Sequence, residues 1–76
     1  MEPIEKRKEE LERAANVKMI EAGAISLEPG DEKKFKVKDI QAWQRVRTRL
    51  LRLGRETKRS YSTKLEGNKL TIRRGA

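Results

Sequence analysis

The most regular hydrophobic pattern in the chain is a helical one in its middle. Asp39 stands directly before it and is a typical N-cap residue. Gly54 is compatible with a helix end or with a close approach of the helix to a sheet, and we expect the helix to continue past it to about Lys58. The apolar residues recur at intervals of three or four and predict one buried side, which is made of Ile40, Trp43, Val46, Leu50 and Leu53.

Alternating polar and apolar positions predict a strand before this helix. Residues 34–38 alternate, which places Phe35 and Val37 on a covered face and three lysines on the other. The segment before it, residues 28–31, carries Pro and Gly at the two central positions of a type II turn. Trp43 belongs to the apolar side of the helix, and we therefore expect it in the core rather than at a binding surface.

The end of the chain predicts a β-hairpin. Residues 61–66 and 69–74 flank Gly67 and Asn68, a two-residue loop of the kind that requires positive φ. A single register satisfies both the hydrophobic alternation and the charge pairing. It pairs Tyr61 with Arg74, Ser62 with Arg73, Thr63 with Ile72, Lys64 with Thr71, Leu65 with Leu70 and Glu66 with Lys69.

The first part of the chain has a weaker helical pattern that is poor in large side chains. Gly23 suggests a helix end, after which Ile25 and Leu27 alternate as in a short strand. We expect an acidic N-terminal helix or arm over residues 1–23. The stripe that would bury one side of it consists of Ile4, Leu11, Ala14, Ala15, Lys18 through its stem, Met19 and Ala22.

These elements together predict an α+β fold. The N-terminal helix of residues 1–23 is followed by a basic β-α-β-β domain over residues 24–76. Its antiparallel sheet has three strands, or four if the segment around Ile25 joins, and packs on the helix that contains Trp43. Three strands with a helix are about the minimum for independent stability.

Charge is distributed unevenly along the 76 residues. The total is +8, but residues 1–32 carry 5 Lys and Arg against 9 Asp and Glu, and residues 33–76 carry 15 against 3. A basic half of this kind attracts polyanions over long distances. The plain alternative is a charged surface that only confers solubility.

Composition excludes most catalytic chemistry. The chain has neither His nor Cys, which removes the usual general base, the usual nucleophile pair and nearly all transition-metal ligand sets. No Gly-rich phosphate-binding motif occurs. We expect no enzyme activity, no cofactor and no metal site. No apolar run approaches the roughly 20 residues of a membrane span, and no signal peptide is recognisable, so we expect a cytoplasmic protein without a membrane partner.

Arginine predominates over lysine in the second half of the chain, and it suits phosphate because its planar fork binds in a bidentate way. Three arginines lie together on the helix side opposite the apolar residues, and we call them the basic ridge: Arg45, Arg49 and Arg52. Tyr61, at the start of a strand, is the candidate for base stacking because an edge position would leave its ring available, and a structural role in the core is an equally good alternative. The candidate nucleic-acid-binding residues are Arg45, Arg49, Arg52, Arg55, Arg59, Lys64, Arg73 and Arg74.

Residues 46–56, followed by 58–64 and 70–74, resemble a class of short proteins encoded by bacteriophages and other mobile elements. In these, an acidic Pro-Gly turn precedes a helix with an internal glycine, a basic aromatic strand and a final hairpin strand. The resemblance covers about half the chain and implies a small accessory protein that acts on DNA, in the host cytoplasm if a phage encodes it. The acidic N-terminal helix is not part of the pattern.

Three hypotheses about function follow. The first is a largely nonspecific nucleic-acid-binding protein, with DNA preferred over RNA, whose basic ridge and hairpin contact phosphates. The second is a phage-type regulator that binds an acidic surface of a host protein through the same arginines. The third makes the acidic helix a homodimerisation arm or an intramolecular cover for the basic face.

Overall fold

The computed structural model describes residues 4–75 and contains two helices and three strands. In chain order these are α1 (Ile4–Ile25), β1 (Glu32–Lys36), α2 (Ile40–Thr57), β2 (Tyr61–Glu66) and β3 (Lys69–Arg74). The sheet is antiparallel with the strand order β1-β3-β2, so β3 is central and the other two strands are edges. The predicted α+β fold is confirmed, and the sheet has three strands.

The main helix α2 begins and ends as its sequence predicts. The Asp39 side chain accepts a hydrogen bond of 2.8 Å from the Ala42 backbone N–H, which confirms the N-cap. At the other end Lys58 adopts a left-handed conformation with φ of 55°. Gly54 lies within the helix, where a Cβ would stand only 3.0 Å from the Arg59 carbonyl oxygen. Its missing side chain therefore makes room for the backbone that returns after the helix.

The buried side of α2 differs from the prediction at one end. Val46 and Leu50 are buried, and Trp43 and Leu53 pack half-buried against the core, as expected. Ile40, however, is 61% exposed, so its assignment to the buried side is wrong. The fully buried Ala42 takes the innermost position instead. Ile40 precedes Ala42 by two positions, a rotation of about 200° around the helix, and therefore points away from the core.

The hairpin has the register that the alternation predicts, from Tyr61 opposite Arg74 to Glu66 opposite Lys69. Gly67 supplies the positive φ of the turn, at 59°, and Gly30 does so in the earlier turn, at 88°. Phe35 of β1 pairs with Leu70, and both are buried. One face of the sheet is therefore covered by the helices and the other is open.

The end of α1 is a correction to the sequence analysis. The helix does not stop at Gly23 but runs through it to Ile25, and no strand forms around Ile25 and Leu27. Gly23 serves a tertiary contact, because a Cβ there would lie 2.5 Å from Cε1 of the Phe35 ring. Leu27 is buried, but it follows the helix in a turn in which its N–H donates to the Ala24 carbonyl at 3.2 Å.

The predicted apolar stripe of α1 is also wrong. Leu11 is 67% and Met19 54% exposed, and the other described members, Ala14, Ala15, Lys18 and Ala22, are exposed as well. The side chain of Ile4 lies outside the described part of the chain. The helix instead buries a roughly opposite side, made of Val17, Ile20 and Ala24, which are at most 2% exposed. These three residues join the core of α2 and the sheet.

Asn16 fixes α1 along the edge of β1. Its Nδ2 donates to the Lys36 carbonyl at 2.9 Å, and its Oδ1 accepts from the Lys38 N–H at 2.9 Å. One amide thus satisfies a backbone acceptor and a backbone donor that the sheet leaves unpaired. The first helix is held by this contact and by its buried residues.

We expect Gly23→Ala to destabilise the fold by about 1–3 kcal/mol, because the new methyl group displaces the Phe35 ring. Helix propensity alone predicts the opposite sign, a gain of about 1 kcal/mol. Urea unfolding measures the difference. Combining the change with Phe35→Leu, which shortens the ring's reach, should cost less than the sum of the two single changes. A more stable Gly23→Ala variant would contradict the close contact.

Candidate nucleic-acid interface

The basic ridge lies against the acidic helix. Arg45 Nη1 is 2.6 Å from Glu10 Oε1, and Arg49 Nη1 is 2.7 Å from Glu21 Oε2. Arg52 lines the same groove between α1 and α2. The hydrogen bond from Arg45, and after it the one from Arg13, holds the pKa of Glu10 below its ordinary value. These are the contacts that an intramolecular cover would make, and they neutralise part of the ridge's charge.

A second ionic contact joins the two helices at the start of α2. Arg13 binds Asp39 with both Nε, at 3.0 Å, and Nη2, at 2.7 Å from Oδ2. The same carboxylate caps α2. The Arg13 hydrogen bond, and next the Ala42 N–H, lower the pKa of Asp39 from 3.8 to about 2. Asp39 is thus both a cap and the joint between α1 and α2, and the second role left no local signal in the sequence.

The open face of the sheet is basic on all three strands, and we call it the sheet face. The pairing places Thr71 between Lys34 and Lys64 in one row across the strands, and Arg73 between Glu32 and Ser62 in the next. A third row holds Lys36, Lys69 and Glu66. The face therefore carries five cations and two carboxylates. Its one described ion pair, Lys64 to Glu66 at 3.0 Å, joins side chains that are 75% and 69% exposed, so it holds neither group firmly.

A third basic surface lies between α2 and the edge strand β2. None of the described residues that line it is acidic. Arg47, which is not among the predicted binding residues, contributes to it together with Arg55. We call this surface the arginine groove, and its main residues are Arg47, Leu51, Arg55, Arg59, Tyr61 and Thr63.

Two predicted binding residues make contacts inside the protein. Arg59 Nη1 donates to the Ile25 carbonyl at 3.1 Å and lies 3.4 Å from the Tyr61 hydroxyl. Arg74 Nη1 donates to the Leu27 carbonyl at 2.8 Å. Both guanidiniums tie the end of α1 and the turn after it to the hairpin. Tyr61 is half-buried and packs against the core.

The structure therefore does not unite the predicted site residues on one surface. The ridge arginines face α1. The arginine groove contains Arg55, Arg59 and Tyr61. The sheet face contains Lys64 and Arg73. Lys34, Lys36 and Lys69 were absent from the predicted site although they share that face. The alternation of the strands was the signal that could have identified them.

No protein-family model matches the chain, and comparisons with curated proteins and with solved structures also give no significant match. The resemblance to mobile-element proteins stays a prediction. Neither α1 nor α2, as described, has the length and apolar character that crossing a bilayer requires. Among residues 4–75 no cluster of three acidic side chains has the arrangement of a metal site.

The Asp39 contacts predict a pH dependence. A lowered pKa means that the contacts stabilise the fold fully above the ordinary pKa of 3.8 and are lost as the pH falls from there towards about 2. Asp39→Asn keeps a capping oxygen but loses the charge, so the stability difference between it and the native protein should shrink over this range. Asp39→Ala should cost about 1 kcal/mol more than Asp39→Asn, because the cap is lost too. Urea unfolding at several pH values tests both, and a pH-independent difference would contradict the ionic joint.

Proposed function

We propose that the protein binds nucleic acid through the sheet face, largely without sequence specificity. The observation that carries the proposal is the contrast between two basic surfaces. Five cations stand on a sheet face that neither helix covers, whereas Arg45 and Arg49 of the ridge each pair with a glutamate of α1. A polyanion has to compete with these glutamates at two of the three ridge arginines, whereas on the sheet face only Lys64 has a described ion pair.

The spacing of the sheet face suits a chain of phosphates. Side chains on one face of a strand repeat about every 7 Å, and neighbouring strands lie about 4.8 Å apart. Four of the five cations are lysines, compact point charges that attract phosphate without fixing its orientation. This composition favours electrostatic binding with a strong salt dependence.

The absence of aromatic side chains from the sheet face argues against base stacking. Its nine described positions are charged residues, Ser62 and Thr71. Stacking on aromatic rings is how many single-strand binders gain affinity from bases. The proposed contacts are therefore to the backbone of the nucleic acid, and DNA is the expected form because the sequence resembles proteins that act on DNA.

The test compares two triple variants that each remove three positive charges. Lys34→Gln, Lys64→Gln and Arg73→Gln alter the sheet face, and Arg45→Gln, Arg49→Gln and Arg52→Gln alter the ridge. Fluorescence anisotropy of labelled single-stranded and double-stranded oligonucleotides over a salt series measures the affinity. We expect the sheet-face variant to bind at least tenfold more weakly in about 50 mM salt and to lose about 2–3 from the log-log salt slope.

The matched ridge variant should lose much less affinity. A larger loss in the ridge variant would move the site to α2, as the sequence first suggested. If the native protein is folded and does not bind any oligonucleotide at low salt, nucleic-acid binding is excluded. An acidic surface of another protein then becomes the expected partner.

A further inference from the structure

The β1 edge of the sheet is occupied at one end, whereas the β2 edge is open along its length in the described part of the chain. Along β1, the Asn16 amide bonds both Lys36 O and Lys38 N and so occupies the outward groups at the strand's end. Along β2, the Ser60 carbonyl oxygen accepts a hydrogen bond from the Gly75 N–H at 2.8 Å, and Glu66 pairs with Lys69. Every second residue from Ser60 to Glu66 therefore hydrogen-bonds to the β3 side. The backbone groups of the alternate residues, Tyr61, Thr63 and Leu65, therefore point away from the sheet. Within residues 4–75 no backbone partner meets them.

The arginine groove lies beside this unpaired edge. Arg47, Leu51 and Arg55 follow one another at intervals of four along the flank of α2 and face Tyr61 and Thr63 across the groove. Leu51 is 63% exposed, and it provides an apolar surface between the two cations. A segment in the groove thus meets backbone donors and acceptors on one side and positive charge with an apolar centre on the other.

An extended peptide fits these features better than a second copy of the chain or a nucleic acid does. A second copy of the chain, paired through β2, would place the arginine grooves of the two copies next to each other and bring like charges together. A nucleic-acid backbone offers phosphate acceptors but no alternating donors to match the strand edge. An extended peptide supplies both donors and acceptors, and acidic side chains complement the arginines.

We propose that the β2 edge and the arginine groove bind an extended acidic segment of a partner protein as a fourth strand of the sheet. The backbone of the segment pairs with Tyr61, Thr63 and Leu65. Its acidic side chains on the groove side meet Arg47 and Arg55. This site is separate from the sheet face, so one molecule can hold nucleic acid and a partner protein together.

The probe is a labelled, capped eight-residue peptide with aspartate at alternate positions and valine between them. We expect it to bind the full chain in an anisotropy titration and to shift the amide resonances of Tyr61, Thr63 and Leu65. A peptide of the same sequence with N-methyl groups on the edge-facing amides should bind at least tenfold more weakly, because it keeps the charge but cannot pair.

Three variants locate the site. Arg47→Gln with Arg55→Gln should weaken peptide binding at least tenfold, and the matched pair Arg45→Gln with Arg49→Gln should change it less than about twofold. Thr63→Pro should abolish binding without breaking the hairpin, since the Thr63 N–H points outward and an edge strand tolerates proline there. The sheet-face triple variant should keep its peptide affinity, which separates this site from the nucleic-acid site.

Several outcomes overturn the proposal. If the N-methylated peptide binds as tightly as the unmethylated one, charge alone attracts the peptide and no strand is added. No binding at about 1 mM peptide by a folded protein would exclude the site. If binding of an oligonucleotide of the same charge depends on Arg47 and Arg55, and binding of the peptide does not, the groove is a nucleic-acid site. Equal affinity in Thr63→Pro, with the hairpin intact, would exclude strand addition.

Discussion

The Asp39 carboxylate is the interaction on which the arrangement of the helices depends. It caps α2 through the Ala42 N–H and binds the Arg13 guanidinium of α1 through two nitrogens. A chain of 76 residues buries only about 60% of its unfolded surface, so its apolar core cannot by itself fix every element. Two polar contacts of defined geometry set where α1 lies. One is this ionic contact, and the other is the contact of the Asn16 side chain with the backbone at the end of β1. The position of α1 then decides which basic surfaces remain accessible.

Because α1 lies there, part of the negative charge of the first half of the chain pairs with positive charge of the second half. The acidic first part of the chain does not stand apart from the basic part, because Glu10 and Glu21 pair with Arg45 and Arg49 along the helix groove. The ridge is consequently less available to an external anion than its sequence suggests. The sheet face lies on the far side of the sheet from both helices, and five cationic side chains stand there without a described contact to α1. The location of the proposed site is thus a consequence of helix packing.

Local features of the fold could be predicted from the sequence, and features set by distant contacts could not. The Asp39 cap, the two glycine turns and the hairpin register depend on neighbouring residues or on pairing across a short loop, and all are confirmed. The stripe of α1 was wrong because many alanines gave no strong preference for a side, and burial was decided by contact with α2 and Phe35. Similarly, Lys64 and Arg73 were recognised as exposed cations, whereas the pairing of Arg45 and Arg49 required knowing where α1 packs. Nothing in the local sequence of α2 contains that information.

The preference for arginine has a structural explanation that the sequence alone did not offer. Guanidiniums make most of the described side-chain contacts between elements: Arg13 with Asp39, Arg45 and Arg49 with α1, and Arg59 and Arg74 with the backbone carbonyls of Ile25 and Leu27. A planar group with five donors can bridge elements in this way, and a lysine ammonium does so less well. Lysines, by contrast, make up four of the five cations of the sheet face. Arginine in this chain is therefore used largely to hold a thin core together. Arg47 and Arg55 are among the described arginines that make no such contact, and an external partner explains them better.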